Sequence, residues 1–282
     1  MTERNVPTIT LPSGDEIPVL GQGTWGMAVD PRRRDAEVAT LRTGIELGLT
    51  MIDTAESDTD GNAEELVAEA IAGHRDDVFL ISKVPPESTG REETIRACER
   101  SIRHLRTDRL DLYLLHWRDT LRLDETIEAL TVLITQGKIR HWGVGDFDLT
   151  DLAELTSIPG GTAVETDQVL YNLSRRGIEW ELLPRCRDAR LPVMAYSPFE
   201  QARLRGHPTL TQLADRHEAT PEQICLAWVL SQDGVCAVPT ASNPDHVRQN
   251  RAALEVILTE VDLAELDQAF PAPTSPRPLE TL

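Results

Sequence analysis

Lysine is nearly absent from this chain: of 28 cations only Lys83 and Lys138 are lysines, and the other 26 are arginines. Arginine stays charged in any protein setting, whereas lysine is a compact ion whose pKa moves on burial, so each remaining lysine is worth explaining. Positive charge as a whole is also short, since 28 cations against 47 carboxylates leave a net charge of −19. That balance repels nucleic acid and anionic membranes, and the short stretches ERNVP and DPRRRDAE supply no basic patch to offset it. No apolar run approaches the roughly eighteen residues of a membrane-spanning helix. The opening MTERNVPTITLPSG is polar and proline-broken, unlike a secretory leader, so a soluble, cytoplasmic protein is expected. Cys98, Cys186, Cys225 and Cys236 lie far apart, form no CxxC pair and sit in apolar patterns. Reduced, buried thiols are expected, with no disulfide and no metal.

What the chain has in quantity is regular alternation. From residue 50 onward, β-rich apolar runs (LTMID, VFLISKV, LDLYLLHW, IRHWGVG, AVETDQVLY, LPVMAYS, VCAVPT) alternate with amphipathic stretches such as EELVAEAIAGH, TIRACERSIRHL, TIEALTVLITQG, GIEWELLPRCRDA and PDHVRQNRAALEV. Asn62 followed by Glu65 reads as a capping box at the first of these helices. Strand and helix in this regular order predict a parallel sheet with right-handed crossovers. With no midway switch and no linker, the expectation is one (β/α)₈ barrel domain over residues 1–282, with an N-terminal hairpin, TITLPSG and DEIPVLG, plugging one end.

A barrel of this kind carries its chemistry at the C-terminal ends of its strands. That rule selects Asp53, Lys83, His116, Asp146, Gln168 and the pair Tyr196–Ser197. An acid, a rare lysine and a histidine on successive strands would face a common mouth. GQGTWG, residues 21–26, formally matches GxGxxG, but MAVDPRRRD is a poor helix start, so a dinucleotide fingerprint is not expected there.

On these residues the chain resembles the aldo-keto reductases over nearly its whole length, through GQGTWGM, IDTAE with Glu64–Glu65, ISKV, DLYLLHW, HWGVGDFD, DQVLYN, AYSPF and VPTASNPDHVRQN. The resemblance implies NADPH bound in extended form across the barrel mouth and hydride transfer to or from a carbonyl carbon. It makes Asp53, Lys83 and His116 members of the catalytic tetrad. The fourth member, a tyrosine five residues after the aspartate, is replaced by Asp58. Tyr113, Tyr171 and Tyr196 are the only tyrosines, and each has another place in the motifs.

An aspartate at that position changes both reach and charge. Its oxygen ends roughly 4 Å short of a tyrosine hydroxyl, leaving room for a water or a substrate group. Lys83 favours the ionised form, while burial or a nearby Asp53 favours the protonated one. Several roles stay open. Asp58 could join a redirected redox reaction with His116 as acid, or serve a non-redox proton transfer such as dehydration or isomerisation. It could instead mark a catalytically impaired, cofactor-binding variant, or be a plain surface turn.

For the cofactor, the resemblance assigns Gln168 to the nicotinamide carboxamide, with Gly145 and Asp146 in place of its usual serine and asparagine partners. Tyr196 matches the residue that stacks on the nicotinamide, and Ser197, Pro198, Phe199, Gln201 and Arg203 match the pyrophosphate loop. Thr24, Trp25 and Asp53 line the near side. At the adenosine end stand Thr240, Ala241, Ser242, His246, Gln249 and Asn250, with Arg248 close by. Thr240 and His246 replace the lysine and arginine that hold the 2′-phosphate, so NADP is expected and NAD use stays open. Trp25 and Trp117 would wall the substrate pocket, and Trp142 and Trp228 read as packing. Asp58, Asp119 and Asp146 would favour a cationic or polyhydroxylated small molecule. A monomer or weak homo-oligomer is expected.

Overall fold

The chain begins with a hairpin of β1 (Thr8–Thr10) and β2 (Glu16–Pro18), antiparallel with Ile9 opposite Ile17. Eight parallel strands follow: β3 (Gln22–Gly23), β4 (Met51–Asp53), β5 (Phe79–Val84), β6 (Leu110–Leu115), β7 (Ile139–Gly145), β8 (Asp167–Leu170), β9 (Val193–Tyr196) and β10 (Val235–Ala237). Each pairs with its sequence neighbours in one sheet, and isolated parallel bridges join Leu20 to Ala237 and Gly23 to Thr240, bringing the two edges together. The computed structural model describes residues 6–88, 90–118 and 122–282. Asp119, a candidate for the pocket rim, lies outside them.

Among the described residues, α1 (Arg34–Glu46), α2 (Asn62–Ala70), α3 (Arg91–His104), α4 (Leu123–Thr135), α5 (Leu149–Ser157), α6 (Leu182–Asp188), α7 (Pro208–Arg216) and α8 (Pro221–Leu230) lie between successive strands, and α9 (Pro244–Ala252) and α10 (Glu260–Ala269) follow the last one. The curled parallel sheet with its helices agrees with the (β/α)₈ expectation. It also explains the unbroken apolar runs, because a parallel strand covered on both faces has no polar side to alternate with. One buried cluster lies inside the curl, with Met51, Ile81, Leu112, Leu114, Met194, Cys236 and Val238 joined by Leu11 and Ile17 of the hairpin. A second and larger cluster lies between sheet and helices, where Leu80, Leu110, Val144 and Val193 meet Leu66, Leu130 and Leu226. Trp142 and Trp228 are core residues, each 2% exposed. The hairpin sits where strands begin: Asp15 bonds His141 early in β7 at 2.8 Å, and Ser13 N–H donates to Glu165 at 3.0 Å. The opposite end is left for chemistry.

Three local expectations are corrected. Asn62 and Glu65 form no capping box; Asn62 is the first helical residue of α2, preceded by Gly61 at φ +85°, and the Thr59 hydroxyl accepts from Ala63 N–H at 2.9 Å in its place. GIEWELLPRCRDA is not one helix but a 3₁₀ turn, Gly177–Glu179, followed by the short α6. The strand of AVETDQVLY starts only at Asp167, because Gly161–Ala163 form a 3₁₀ turn. GQGTWG leads from β3 into a turn, not into a helix, and a Cβ on Gly23 would lie 2.6 Å from the Val238 carbonyl oxygen. That glycine permits the close approach of the sheet edges. Cys98, Cys186, Cys225 and Cys236 are all buried and unpaired.

Candidate functional site

The expected side chains gather at the strand ends. Asp53 closes β4 and Lys83 is the penultimate residue of β5, so the pairing of those strands sets their side chains together. Lys83 Nζ donates to Asp53 Oδ1 at 2.6 Å and to the Thr54 carbonyl oxygen at 3.2 Å. Both partners are almost fully buried. A charge-assisted bond of this length, enclosed by protein, fixes the ammonium in place.

His116 directly follows β6. Burial, helped by the charge of Lys83, pulls its pKa down to about 3, so the ring is neutral at physiological pH. Its Nδ1 lies 3.0 Å from the Ser57 hydroxyl. Ser57 and Asp58 belong to the 3₁₀ turn Glu56–Asp58 just after β4, and Arg100 ties that turn down through Glu56 with bonds of 2.7 and 3.1 Å.

Asp58 is half-buried in that turn. Burial raises its carboxyl above the ordinary range; Lys83 pulls the other way, and Asp53 and Glu64 add to the rise. The protonated form is therefore extended to higher pH.

On the cofactor side, Asp146 follows β7 in the left-handed region at φ +51°. Burial lifts its carboxyl to about 7, against the lowering effect of bonds from Tyr196 and the Leu170 backbone. Gln168 lies in β8 beside Gly145, its amide donating to Met194 Sδ at 3.0 Å. Tyr196 ends β9 and is partly open to solvent.

Beyond Tyr196 the backbone is forced. Ser197, Glu200, Gln201 and Ala202 all have positive φ, from 47° to 65°. Non-glycine residues adopt such angles only where surrounding contacts hold them. The holder is buried Glu200, which accepts from Asn172 at 2.9 Å, from Arg175 at 2.7 and 3.0 Å, and from Arg203 at 3.2 Å. Pro198 is buried and Phe199 half-buried; Gln201 and Arg203 are exposed and bonded to each other at 2.9 Å.

At the far end, Thr240 meets Gly23 across the sheet edge and Ala241 is buried. Ser242 Oγ lies 2.9 Å from His246 Nδ1, and Asn243 caps α9 by accepting from His246 N–H at 3.0 Å. Gln249 is exposed and Asn250 buried on the same helix, while Arg248 is paired with Asp245. Arg33, missing from the sequence candidates, donates to the Ser242 carbonyl oxygen at 3.4 Å across 209 residues of sequence.

The mouth has aromatic walls. Trp25 is 65% exposed and Trp117 is 40% exposed, the latter with its ring centroid 4.5 Å from that of His116. Thr24 is buried, its hydroxyl 2.8 Å from that of Thr54 and its N–H donating to the Asp53 carbonyl oxygen. Among the described residues no group of histidine, cysteine and carboxylate side chains could hold a metal, and no helix is long and apolar enough to cross a membrane.

Known proteins are similar to this chain in sequence and fold. The chain is 52% identical over 267 residues to methylglyoxal reductase YeaE of Escherichia coli K12, covering 93% of this chain and 94% of that protein. It is 30% identical to glyoxal reductase of Bacillus subtilis 168, over 92% and 91% of the two chains. The crystal structure of an aldo/keto reductase from Klebsiella pneumoniae, in complex with NADP and acetate, superposes with a TM-score of 0.95 at 45% identity, covering 99% of this chain and all of that one. The profile of the Aldo/keto reductase family matches residues 19–270, and the chain belongs to that family of oxidoreductases.

Proposed function

We propose that this protein uses NADPH to reduce a carbonyl group of a small, polar substrate of the 1,2-dicarbonyl kind. The observation that carries the reading is the buried Lys83–Asp53 pair at 2.6 Å beside a neutral His116, in a chain 52% identical to a methylglyoxal reductase. All of it sits at one mouth of a closed (β/α)₈ barrel, and residues 1–282 act as one domain.

The residues present fit an extended dinucleotide. Tyr196 offers a partly exposed ring, Gln168 an amide in the strand beside Asp146, and α9 an N-terminus whose positive dipole end suits phosphate. Gln168, Asp146 and Tyr196 would hold the nicotinamide, with Thr24 and Trp25 across from them. Ser197, Pro198, Phe199, Gln201 and Arg203 would hold the pyrophosphate. Thr240, Ala241, Ser242, His246, Gln249 and Asn250, with Arg33, would hold the adenosine end. When bound, NADPH supplies hydride to the carbonyl carbon.

The protein's own part is to orient the carbonyl and to handle the proton. His116 donates from Nε2 to the substrate oxygen, and Lys83 stabilises the negative charge that grows there. Asp58 stands where the family tyrosine would be, and burial, with Asp53 and Glu64 nearby, extends its protonated form to higher pH against the pull of Lys83. The roughly 4 Å gap left by the shorter side chain accepts a water or the second oxygen of the substrate. Asp146, whose carboxyl burial lifts to about 7, is partly protonated near neutral pH and can donate to an oxygen-rich substrate. The site is complete within one chain, so a monomer suffices.

The test is NADPH consumption with methylglyoxal and glyoxal, alongside NADPH binding by fluorescence. Turnover supports the reading. Tight binding without turnover would leave a cofactor-binding protein, and substrate loss without NADPH would make it a proton-transfer enzyme.

A further inference from the structure

The tetrad residues leave one contact unused. Ser57, one position before Asp58, places its hydroxyl 3.0 Å from His116 Nδ1. The turn that carries it is pinned by Arg100 on Glu56, and Ser57 itself is exposed. Among the described residues His116 Nε2 has no protein partner, so Nε2 is the nitrogen left for substrate.

A neutral imidazole has one proton to give. If it donates that proton outright it becomes an imidazolate, a far poorer outcome than receiving a second proton at the other nitrogen in the same step. The group in position to deliver it is the Ser57 hydroxyl. We propose that Ser57 is a positioning and proton-relay residue: its O–H donates to His116 Nδ1, fixes the Nε2–H tautomer, and passes solvent protons through the ring to the substrate oxygen.

The proposal rests on the reductase reading above, and its bonds balance. The Nε2–H bond breaks as the product O–H forms; the Ser57 O–H bond breaks as Nδ1–H forms. Ser57 regains its proton from a solvent or buffer acid, which leaves as its conjugate base. The ring ends in the opposite tautomer and returns by exchange once product departs. No oxidant or reductant enters beyond NADPH.

The experiment compares the parent, Ser57→Ala and Ser57→Thr with methylglyoxal and NADPH. Ser57→Ala is expected to lower kcat about 10–100-fold while the NADPH Kd holds, and Ser57→Thr to stay within about threefold of the parent. In mixed H₂O/D₂O the parent should show a curved, multi-proton dependence of kcat and Ser57→Ala a linear one. The ¹⁵N NMR signals of His116 should report Nε2–H in the parent and a tautomer mixture in Ser57→Ala. An unchanged kcat and isotope dependence in Ser57→Ala overturns the relay, as does an Nδ1–H tautomer in the parent. If no form consumes NADPH, the reductase reading fails and the relay with it, while the NMR still decides whether Ser57 sets the tautomer.

Discussion

The Tyr196 hydroxyl stands 3.2 Å from each carboxylate oxygen of Asp146 and donates to that carboxylate. Even with this bond, burial raises Asp146 from its ordinary 3.8 to about 7. Between those pH values the folded protein holds a proton that the unfolded chain has lost, so stability falls as pH rises and the loss is complete above about 7. Asp146→Asn never ionises. It should be more stable than the parent by about 1–2 kcal/mol at pH 8, part of the ~4 kcal/mol that so large a shift would give a fully enclosed group, with the difference vanishing below pH 4. Urea unfolding at the two pH values checks this; a constant difference would reject it.

Asp58 gives the corresponding prediction for rate. Its carboxyl is held above the ordinary range, and once ionised it places a negative charge beside the forming alkoxide. The kcat should therefore fall as pH rises through the Asp58 titration, and Asp58→Asn should flatten that limb. Asp58→Tyr restores a hydroxyl of full reach and should raise kcat about 10²-fold near neutral pH. In that background Ser57→Ala should cost much less than in the parent, because the proton then has a direct donor.

The order of parallel strands and the strand-end placement of Asp53, Lys83 and His116 were legible in the sequence because they follow from local rules, whereas Asp58 and most of the cofactor candidates were assigned by the resemblance alone. A strand buried on both faces must be apolar throughout, and the residue at its C-terminal end faces the mouth. Asp53, Lys83 and His116 needed no more than that. The Ser57–His116 contact spans 59 residues and depends on how one short turn is pinned by Arg100, which no local pattern encodes. Arg33 is hidden for the same reason, since DPRRRD gives no sign that its partner lies at the start of α9. The capping box failed because Gly61 takes a left-handed turn that moves the cap back to Thr59.

Gly145 supplies a test of how closely the mouth is packed. In the family motif its position is a serine, yet here a Cβ would lie 2.4 Å from the His116 backbone oxygen. The three nearest atoms are all backbone of Leu115 and His116, so no flexible side chain can yield. Gly145→Ser should cost about 1–3 kcal/mol, lower the thermal midpoint by a few degrees and reduce kcat by displacing His116. A variant as stable and active as the parent would show that β6 and β7 separate easily.

Glu64 ties the core to the chemistry. It is fully buried on α2, accepts from the Ser82 hydroxyl at 2.6 Å, and lies 2.9 Å from His104 Nδ1. Glu64→Ala would strand the buried Ser82 hydroxyl and remove the partner of half-buried His104, and should cost about 1–3 kcal/mol. Glu64→Gln keeps the shape and an acceptor oxygen, so its cost should be smaller, and it isolates a second effect. The charge of Glu64 is one of the influences that raise Asp58. Removing it makes Asp58 easier to ionise, and the high-pH fall in kcat should move to lower pH. A pH profile of folded Glu64→Gln reads this directly. An unmoved limb would mean that Asp58 does not set it, or that the two carboxylates are too well screened to interact.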